Sequence, residues 1–177
     1  MNNWKNYLRP VLVLTVICLV ISGALALTNQ ATAPVIDAAS VAKVEKVRKE
    51  VLPQADGFDE MQLSGLPGTV TGVYKASNGA GYVFMLTAKG YGGDMELICG
   101  MDADGKITAC ETLSQQETQG LGSKTTLPAF RSQFEGKDSS LEGVDTISGA
   151  TISSTAYINA IKDAFHAYHL AKEAAQS

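Results

Sequence analysis

The segment at residues 145–155, which reads DTISGATISST, places several hydroxyl side chains and one glycine directly before the helical pattern AYINAIKDAFHAY. The first turn of a helix has backbone N–H groups without helical partners, and these groups attract an anion such as phosphate. Hydroxyls beside them can donate to phosphate oxygens, and a glycine lets the backbone approach closely. Serine and threonine are also preferred helix N-caps, so the composition alone favours a plain cap over a phosphate site.

Other residues that could carry chemistry lack the spacing that a reaction or a metal requires. His166 and His169 lie three residues apart on the terminal helical pattern, without a carboxylate at ligand spacing on that face. Glu111 and Glu117 lie near a glycine-rich loop, but no second hydrolase signature accompanies them. We therefore predict no catalytic residue and no metal site in this chain.

An uncharged apolar run covers residues 11–27, and with its flanking residues it reaches the roughly 20 residues that a membrane-spanning helix needs. Lys5 and Arg9 precede this run, and the next charged residue after it is Asp37. The positive-inside rule therefore predicts a single-pass protein of the cell membrane, with a cytoplasmic N-terminus and an extracytoplasmic C-terminal domain. A cleavable signal peptide is the alternative, because residues 24–26 have the form of a cleavage site, but the run exceeds the usual apolar length of such peptides.

The overall charge argues against one class of partner. The net charge is −4 at pH 7 and the pI is about 5.1, without a basic cluster anywhere in the chain. Proteins that bind nucleic acid usually carry a basic patch, so we predict no nucleic-acid partner.

The remainder of the chain alternates between helical and strand patterns. After a polar stretch at residues 28–34, a helical pattern runs to Pro53, and a loop is expected over residues 56–68. Strands are predicted at residues 69–77, 82–88, 95–101 and 106–113, joined by turns at residues 78–79 and 102–105. Helices are predicted at residues 127–134 and 156–172.

These patterns predict an α+β fold: one N-terminal transmembrane helix, then an antiparallel sheet with flanking helices. The predicted divisions are a cytoplasmic N-terminus at residues 1–10, a transmembrane helix at 11–30, a connecting helix at 31–55 and an extracytoplasmic domain at 56–177. Cys99 and Cys110 flank the second turn, so a cross-strand disulfide is conceivable, but a shift of one residue in register would put them on opposite faces. We predict two free thiols.

The heptad at residues 145–151, DTISGAT, matches the flavinylation motif of the FMN-binding domain family: Asp, two variable residues, Ser or Thr, Gly, Ala and Thr. In that family the final threonine forms a phosphoester with FMN, so the resemblance implies covalent FMN on Thr151. It also implies that a flavin transferase, which uses FAD, attaches the cofactor. Ser148, Gly149 and Ala150 would shape the turn that presents the threonine.

Three further segments look like landmarks of the same family, in the family's order: residues 89–93, 104–107 and 117–122. Together with the single apolar run, they make the chain similar to the G subunits of Rnf complexes, which are ion-translocating ferredoxin:NAD⁺ oxidoreductases. The resemblance implies an electron-transfer subunit in the membrane that works with the other Rnf subunits and is not catalytic alone.

The resemblance assigns further residues to the flavin site. It implies that Glu117, Thr118 and Leu121 lie near the isoalloxazine ring or its ribityl chain, with Tyr91 as a neighbour. Asp145 would orient the motif or assist the transferase. The remaining hydroxyls of the segment, those of residues 153–155, are expected to cap the helix or to contact the phosphate.

Two alternatives stay open. The first is a flavinylated subunit of a sodium-pumping NADH:quinone reductase, or of another extracytoplasmic electron-transfer chain. The second is a membrane-anchored module that binds phosphate or a small ligand reversibly. Denaturation would release a reversible ligand and would leave a covalent flavin in place.

Overall fold

The computed structural model describes residues 3–175, apart from the side chains of residues 3–6, 37 and 38. Residues 1, 2, 176 and 177 of the predicted divisions therefore lie outside the described part. The chain forms two units, Met1–Lys43 and Val44–Ser177.

Helix α1 (Asn3–Val51) begins in the first unit and ends in the second. Its apolar part is long and apolar enough to cross a membrane. The polar stretch at residues 28–34 is part of this helix. The hydroxyls of Thr28 and Thr32 each donate, over 2.9 Å, to the carbonyl four residues earlier, so the helix itself provides their partners.

The second unit contains a five-stranded antiparallel sheet whose strands follow one another in chain order. The strands are β1 (Phe58–Glu60), β2 (Val70–Ala76), β3 (Gly81–Lys89), β4 (Asp94–Asp102) and β5 (Ile107–Gln115). The last four confirm the predicted strands. Strand β1 lies where a loop was expected, because three residues at the sheet edge are too few to show an alternating pattern.

Helices cover one face of this sheet. A 3₁₀ helix (Gly122–Thr126), helix α2 (Pro128–Arg131) and a second 3₁₀ helix (Ser132–Phe134) follow β5, and helix α3 (Thr151–Ala174) ends the described chain. Tyr157 and Ile161 of α3 are buried with Phe84 and Leu97 of the sheet in the larger core. The fold is therefore α+β, as predicted.

The last residues of α1 cover the opposite face of the sheet. Val51 and Leu52 are buried there with Val83 and Ile98 in a smaller core. The guanidinium of Arg48 lies 3.5 Å from the centre of the Tyr74 ring, which adds a cation–π contact. Helices thus pack on both faces of the sheet. The candidate site lies beyond the ends of β3 and β5.

The two cysteines of the sheet are direct neighbours. Cys99 of β4 is the register partner of Cys110 of β5, and both side chains are buried. Their Sγ atoms are 3.5 Å apart and the thiols are free, as predicted. Burial, together with the adjacent Cys99, raises the pKa of the Cys110 thiol well above its ordinary value.

Candidate functional site

A cavity of about 430 Å³ opens between the N-terminus of α3 and the loops that follow β3 and β5. It brings together all but two of the residues that the sequence assigns to a flavin site. Its lining consists of Tyr91, Glu117, Thr118, Leu121, Gly122, Gly149, Ala150, Thr151, Ile152 and Ser153. The heptad and the glycine-rich loops, which are far apart in the sequence, therefore meet at one place.

Thr151 is the first residue of α3, and its side chain is exposed at this cavity. Gly149 before it has a φ of +79°, a left-handed conformation that favours glycine. The N–H of Ala150 donates to the carbonyl of Ile147 over 2.9 Å and closes the turn. The heptad thus forms a tight turn that presents the threonine hydroxyl at the mouth of the helix.

The start of α3 leaves backbone donors available. Ala150 occupies the N-cap position and makes no side-chain capping bond. The carbonyl of Ala150 accepts from the N–H of Ser154, over 2.9 Å. This is the first hydrogen bond of the helix. The amides of residues 151–153, which come before Ser154, therefore have no partner within the helix. Together with the helix dipole, they favour a bound anion beside Thr151.

Glu117 forms one wall of the cavity and is only 8% exposed. Its Oε2 accepts a hydrogen bond of 2.6 Å from the Ser153 hydroxyl, and its Oε1 accepts one of 3.0 Å from the N–H of Gly92. The carboxylate thus joins three parts of the site: the loop after β3, the segment after β5 and the first turn of α3. Such a buried, charge-assisted network holds the cavity walls in one arrangement.

Two glycines make room for this carboxylate. A Cβ atom added to Gly90 would lie 2.0 Å from Oε1 of Glu117, and one added to Gly122 would lie 2.1 Å from Oε2. Both distances are shorter than a van der Waals contact, so a Cβ at either position would force the Glu117 carboxylate to move. The glycine-rich segments of the sequence therefore have a packing role around Glu117.

The hydroxyls after Thr151 differ from their expected roles. Ser153 and Ser154 are buried rather than available to cap the helix or to contact a phosphate. Ser154 donates to the carbonyl of Ala150 over 2.8 Å and accepts from the N–H of Ile147 over 3.0 Å. The expectation failed because α3 begins at residue 151, five residues before the predicted start, and these two residues already belong to its buried face.

Sequence reasoning did not identify Ser153 as the partner of Glu117, although a signal was present. Ser153, Tyr157 and Ile161 follow at intervals of four residues, which places them on one helical face. Extending the apolar pattern of α3 back by one turn would have predicted a buried Ser153. Gly122 and Ile152, which also line the cavity, were likewise not singled out.

Asp145 and Ser148 are exposed and do not line the cavity. The backbone N–H of Asp145 donates to the side-chain oxygen of Gln133 over 2.9 Å, which fixes the beginning of the heptad. Asp145 borders a separate, smaller cavity with Gln133 and Lys124. The geometry therefore leaves the carboxylate of Asp145 accessible from outside the main cavity.

Apolar side chains surround the opening of the cavity. Tyr91 is 74% exposed, Ile152 57% and Leu121 46%, and all three line the cavity. Large exposed apolar side chains gathered at one opening are a usual mark of a ligand or partner site. An aromatic and two aliphatic side chains suit the faces of a flat, largely apolar ring system such as isoalloxazine.

The core below the site remains uncharged. Tyr157, on the second turn of α3, is fully buried among the core residues. Burial raises the pKa of the Tyr157 hydroxyl well above its ordinary value, and the neighbouring Cys110 adds to the effect. The tyrosine therefore stays protonated at neutral pH.

Comparison with known proteins agrees with this geometry. A family model described as FMN-binding domain matches residues 90–166, the part that contains the cavity and Thr151. Among the most similar relatives is the G subunit of the ion-translocating oxidoreductase complex of Methanosarcina acetivorans. It is 33% identical over 93% of this chain and 95% of its own length.

Two further relatives carry more specific names. The G subunit of the Na⁺-translocating ferredoxin:NAD⁺ oxidoreductase complex of Acetobacterium woodii is 30% identical over 94% of this chain and 93% of its own. The G subunit of the proton-translocating ferredoxin:NAD⁺ oxidoreductase complex of Clostridium ljungdahlii is 28% identical over 85% of both chains.

Proposed function

The chain belongs to the family of G subunits of ion-translocating oxidoreductase complexes, and we propose that it transfers electrons within an Rnf complex through FMN attached covalently to Thr151. The observation that carries this proposal is the exposed Thr151, which lies at the N-terminus of α3 and lines the cavity beside Glu117. As one member of a complex, it depends on the other members and is not catalytic alone.

The residues of the cavity fit FMN. The free amides at the start of α3 would bind the phosphoryl oxygens, and Gly149 would keep the turn open to them. Tyr91, Leu121 and Ile152 would contact the ring, while Thr118 lies at the same opening. When bound, FMN supplies the one- and two-electron chemistry, and the protein positions it and controls its environment.

The attachment requires a defined reaction. The Thr151 hydroxyl oxygen forms a bond to the phosphorus on the flavin side of FAD, and the bond from that phosphorus to the AMP portion breaks. AMP leaves, and the hydroxyl proton passes to a base of the flavin transferase. The exposed Asp145 is available to that enzyme from outside the cavity.

The proposed location follows from α1 and the charges around it. The apolar part of α1 would span the cell membrane once, with Lys5 and Arg9 on the cytoplasmic side. The FMN-binding domain would then be extracytoplasmic. A covalent bond suits this location, because a dissociable cofactor would be lost into dilute surroundings by mass action.

Denaturing electrophoresis tests covalent attachment. Protein co-expressed with the transferase should remain fluorescent under ultraviolet light after unfolding and washing, and Thr151→Ala should abolish the fluorescence. Thr146→Ala is the matched control, because Thr146 also carries an exposed hydroxyl and occupies a variable position of the motif. Release of all flavin on unfolding would instead favour the reversible ligand-binding module.

Copurified subunits test the choice of complex. The relatives named above include members of both sodium- and proton-translocating ferredoxin:NAD⁺ oxidoreductases. Purification with iron–sulfur subunits that accept electrons from ferredoxin supports the Rnf assignment. Purification with a quinone-reducing module would favour the sodium-pumping quinone reductase.

A further inference from the structure

We propose that Lys89 is the cation that pairs with the phosphoryl group on Thr151, and that this pairing directs the flavin ring into the cavity beside Glu117. The inference rests on the proposed attachment at Thr151 and adds a residue and an orientation to it. Lys89 is the last residue of β3 and its side chain is exposed.

Thr151 lies between two clefts rather than at the edge of one. The first is the cavity with Glu117 described above. A second cleft of about 470 Å³ shares Thr151 and Ile152 with it and is also lined by Thr69, Ala88, Lys89, Thr155, Ala156 and Asn159. A group attached to the Thr151 hydroxyl therefore has two directions available.

The charges of the two clefts differ. Glu117 is the charged side chain that lines the first cleft, and Lys89 is the charged side chain that lines the second. A phosphodiester carries one negative charge at neutral pH, so it is repelled by the carboxylate and attracted by the ammonium. The phosphoryl group is therefore expected on the side of the second cleft.

Lys89 is available for this role. Among the side chains that the structure describes, it makes no ion pair, although its register partner across β3 and β4 is Asp94. The Glu117 carboxylate, in contrast, is already held by the Ser153 hydroxyl and the Gly92 amide. Hence the cation can respond to a new anion, whereas the carboxylate is fixed in the wall.

The apolar side chains favour the same orientation for the ring. Tyr91 and Leu121 line only the first cleft, while Ile152 lies between the two. The second cleft has polar side chains such as Thr155 and Asn159 instead of an aromatic one. With the phosphoryl group held at Lys89, the ring would extend toward Tyr91 and Leu121, where it can bury apolar surface.

Competitive acetylation of lysines tests the pairing on the unaltered full-length protein in detergent. The protein is prepared with and without the transferase, labelled briefly with acetic anhydride and analysed by mass spectrometry. An ion pair keeps the amine protonated and slows its acetylation, so Lys89 should react about fivefold more slowly when FMN is attached, which corresponds to roughly 1 kcal/mol. Lys106, at the opposite end of β4 in the turn to β5, should react equally in both samples.

Phosphorus NMR of the flavinylated protein distinguishes an ion pair between Lys89 and the phosphoryl group from simple shielding of Lys89 by the flavin ring. The ³¹P resonance should shift in Lys89→Gln, stay close to the wild-type position in Lys89→Arg, and be unchanged in the charge-matched control Lys106→Gln. Equal acetylation of Lys89 in both samples, or protection of Lys89 with a ³¹P resonance that Lys89→Gln does not move, would overturn the proposal. Intact mass first verifies that the sample prepared with the transferase carries FMN, so either result is distinguishable from a failure of attachment itself.

Discussion

The hydroxyl of Ser153 donates a hydrogen bond of 2.6 Å to the carboxylate of Glu117, and both residues are buried. This bond connects the first turn of α3 with the segment after β5. The residue that presents the proposed attachment oxygen, Thr151, lies two positions before Ser153 in the same helical turn. The position of that oxygen relative to the cavity wall therefore depends on this bond.

Ser153→Ala should destabilise the protein by about 1–3 kcal/mol, because it leaves a buried carboxylate oxygen without its donor. Denaturant unfolding of the full-length protein in detergent measures the change. Thr155→Ala, which removes an exposed hydroxyl from the same helix, should remain within about 0.5 kcal/mol of wild type. Equal stability of the two variants would contradict a structural role for the Ser153–Glu117 bond.

Gly122→Ala should both destabilise the protein and slow the attachment of FMN. Its Cβ would lie 2.1 Å from Oε2 of Glu117 and 2.7 Å from Oγ of Ser153, so the network must move. Overpacking of this kind costs about 1–3 kcal/mol. The attachment rate is measured from fluorescence gained in the presence of the transferase.

Gly68→Ala is the control for that substitution. A Cβ at Gly68 would meet no atom within 4 Å, and the residue is exposed. Its attachment rate should match wild type. If Gly122→Ala is flavinylated as fast as Gly68→Ala, then the arrangement around Glu117 is not needed for the site.

Alkaline pH should weaken the fold in a defined range. Burial raises the pKa of Cys110 and of Tyr157 in the folded state, whereas in the unfolded chain these groups ionise at about 8.5 and 10. The free energy of unfolding is therefore constant below about pH 8.5 and declines above it. The decline is about 1.4 kcal/mol per pH unit for each group that ionises only in the unfolded chain. Chemical unfolding between pH 7 and 10 measures this slope.

Cys110→Ala identifies the contribution of the thiol. The variant should lose less stability than wild type between about pH 8.5 and 10, because one of the groups whose pKa the fold raises has been removed. Parallel pH profiles for the two proteins would show that the folded state does not hold the Cys110 proton more tightly than the unfolded chain.

The thiols of Cys99 and Cys110 should be unreactive in the native protein and reactive after unfolding. Both are buried, so a thiol reagent has no access until the β4–β5 pair opens. Mass spectrometry after labelling, in protein purified without reductant, counts the modified cysteines. Rapid labelling of Cys99 or Cys110 in the native protein would contradict their burial. If both stay unlabelled after unfolding, they form a disulfide.

Much of this architecture could be predicted from the sequence because its signals are local. Asn78-Gly79 predicts the β2–β3 turn, and the structure has Gly79 at a φ of +75°. The turn before β5 is equally local: Asp102 accepts hydrogen bonds from the amides of Asp104 and Lys106. The turn of the heptad is local as well: Gly149 has a φ of +79°, and the N–H of Ala150 donates to the carbonyl of Ile147.

What could not be predicted depends on contacts between distant segments. The hydroxyls of Ser153 and Ser154 looked like caps, because their partners, the Glu117 carboxylate and the Ile147 amide, are known only after folding. The short strand β1 exists only through pairing with β2. The second cleft, and with it the place of Lys89, likewise arises from the meeting of the end of β3 with α3.

Peptide mapping by tandem mass spectrometry tests the central proposal most directly. Protein purified from cells that contain the transferase and the complete complex is digested, and the peptide that covers residues 145–162 is fragmented. We expect an added mass of FMN less water, located on Thr151. An unmodified Thr151 in a complex that transfers electrons, or FMN located on another residue, would contradict it.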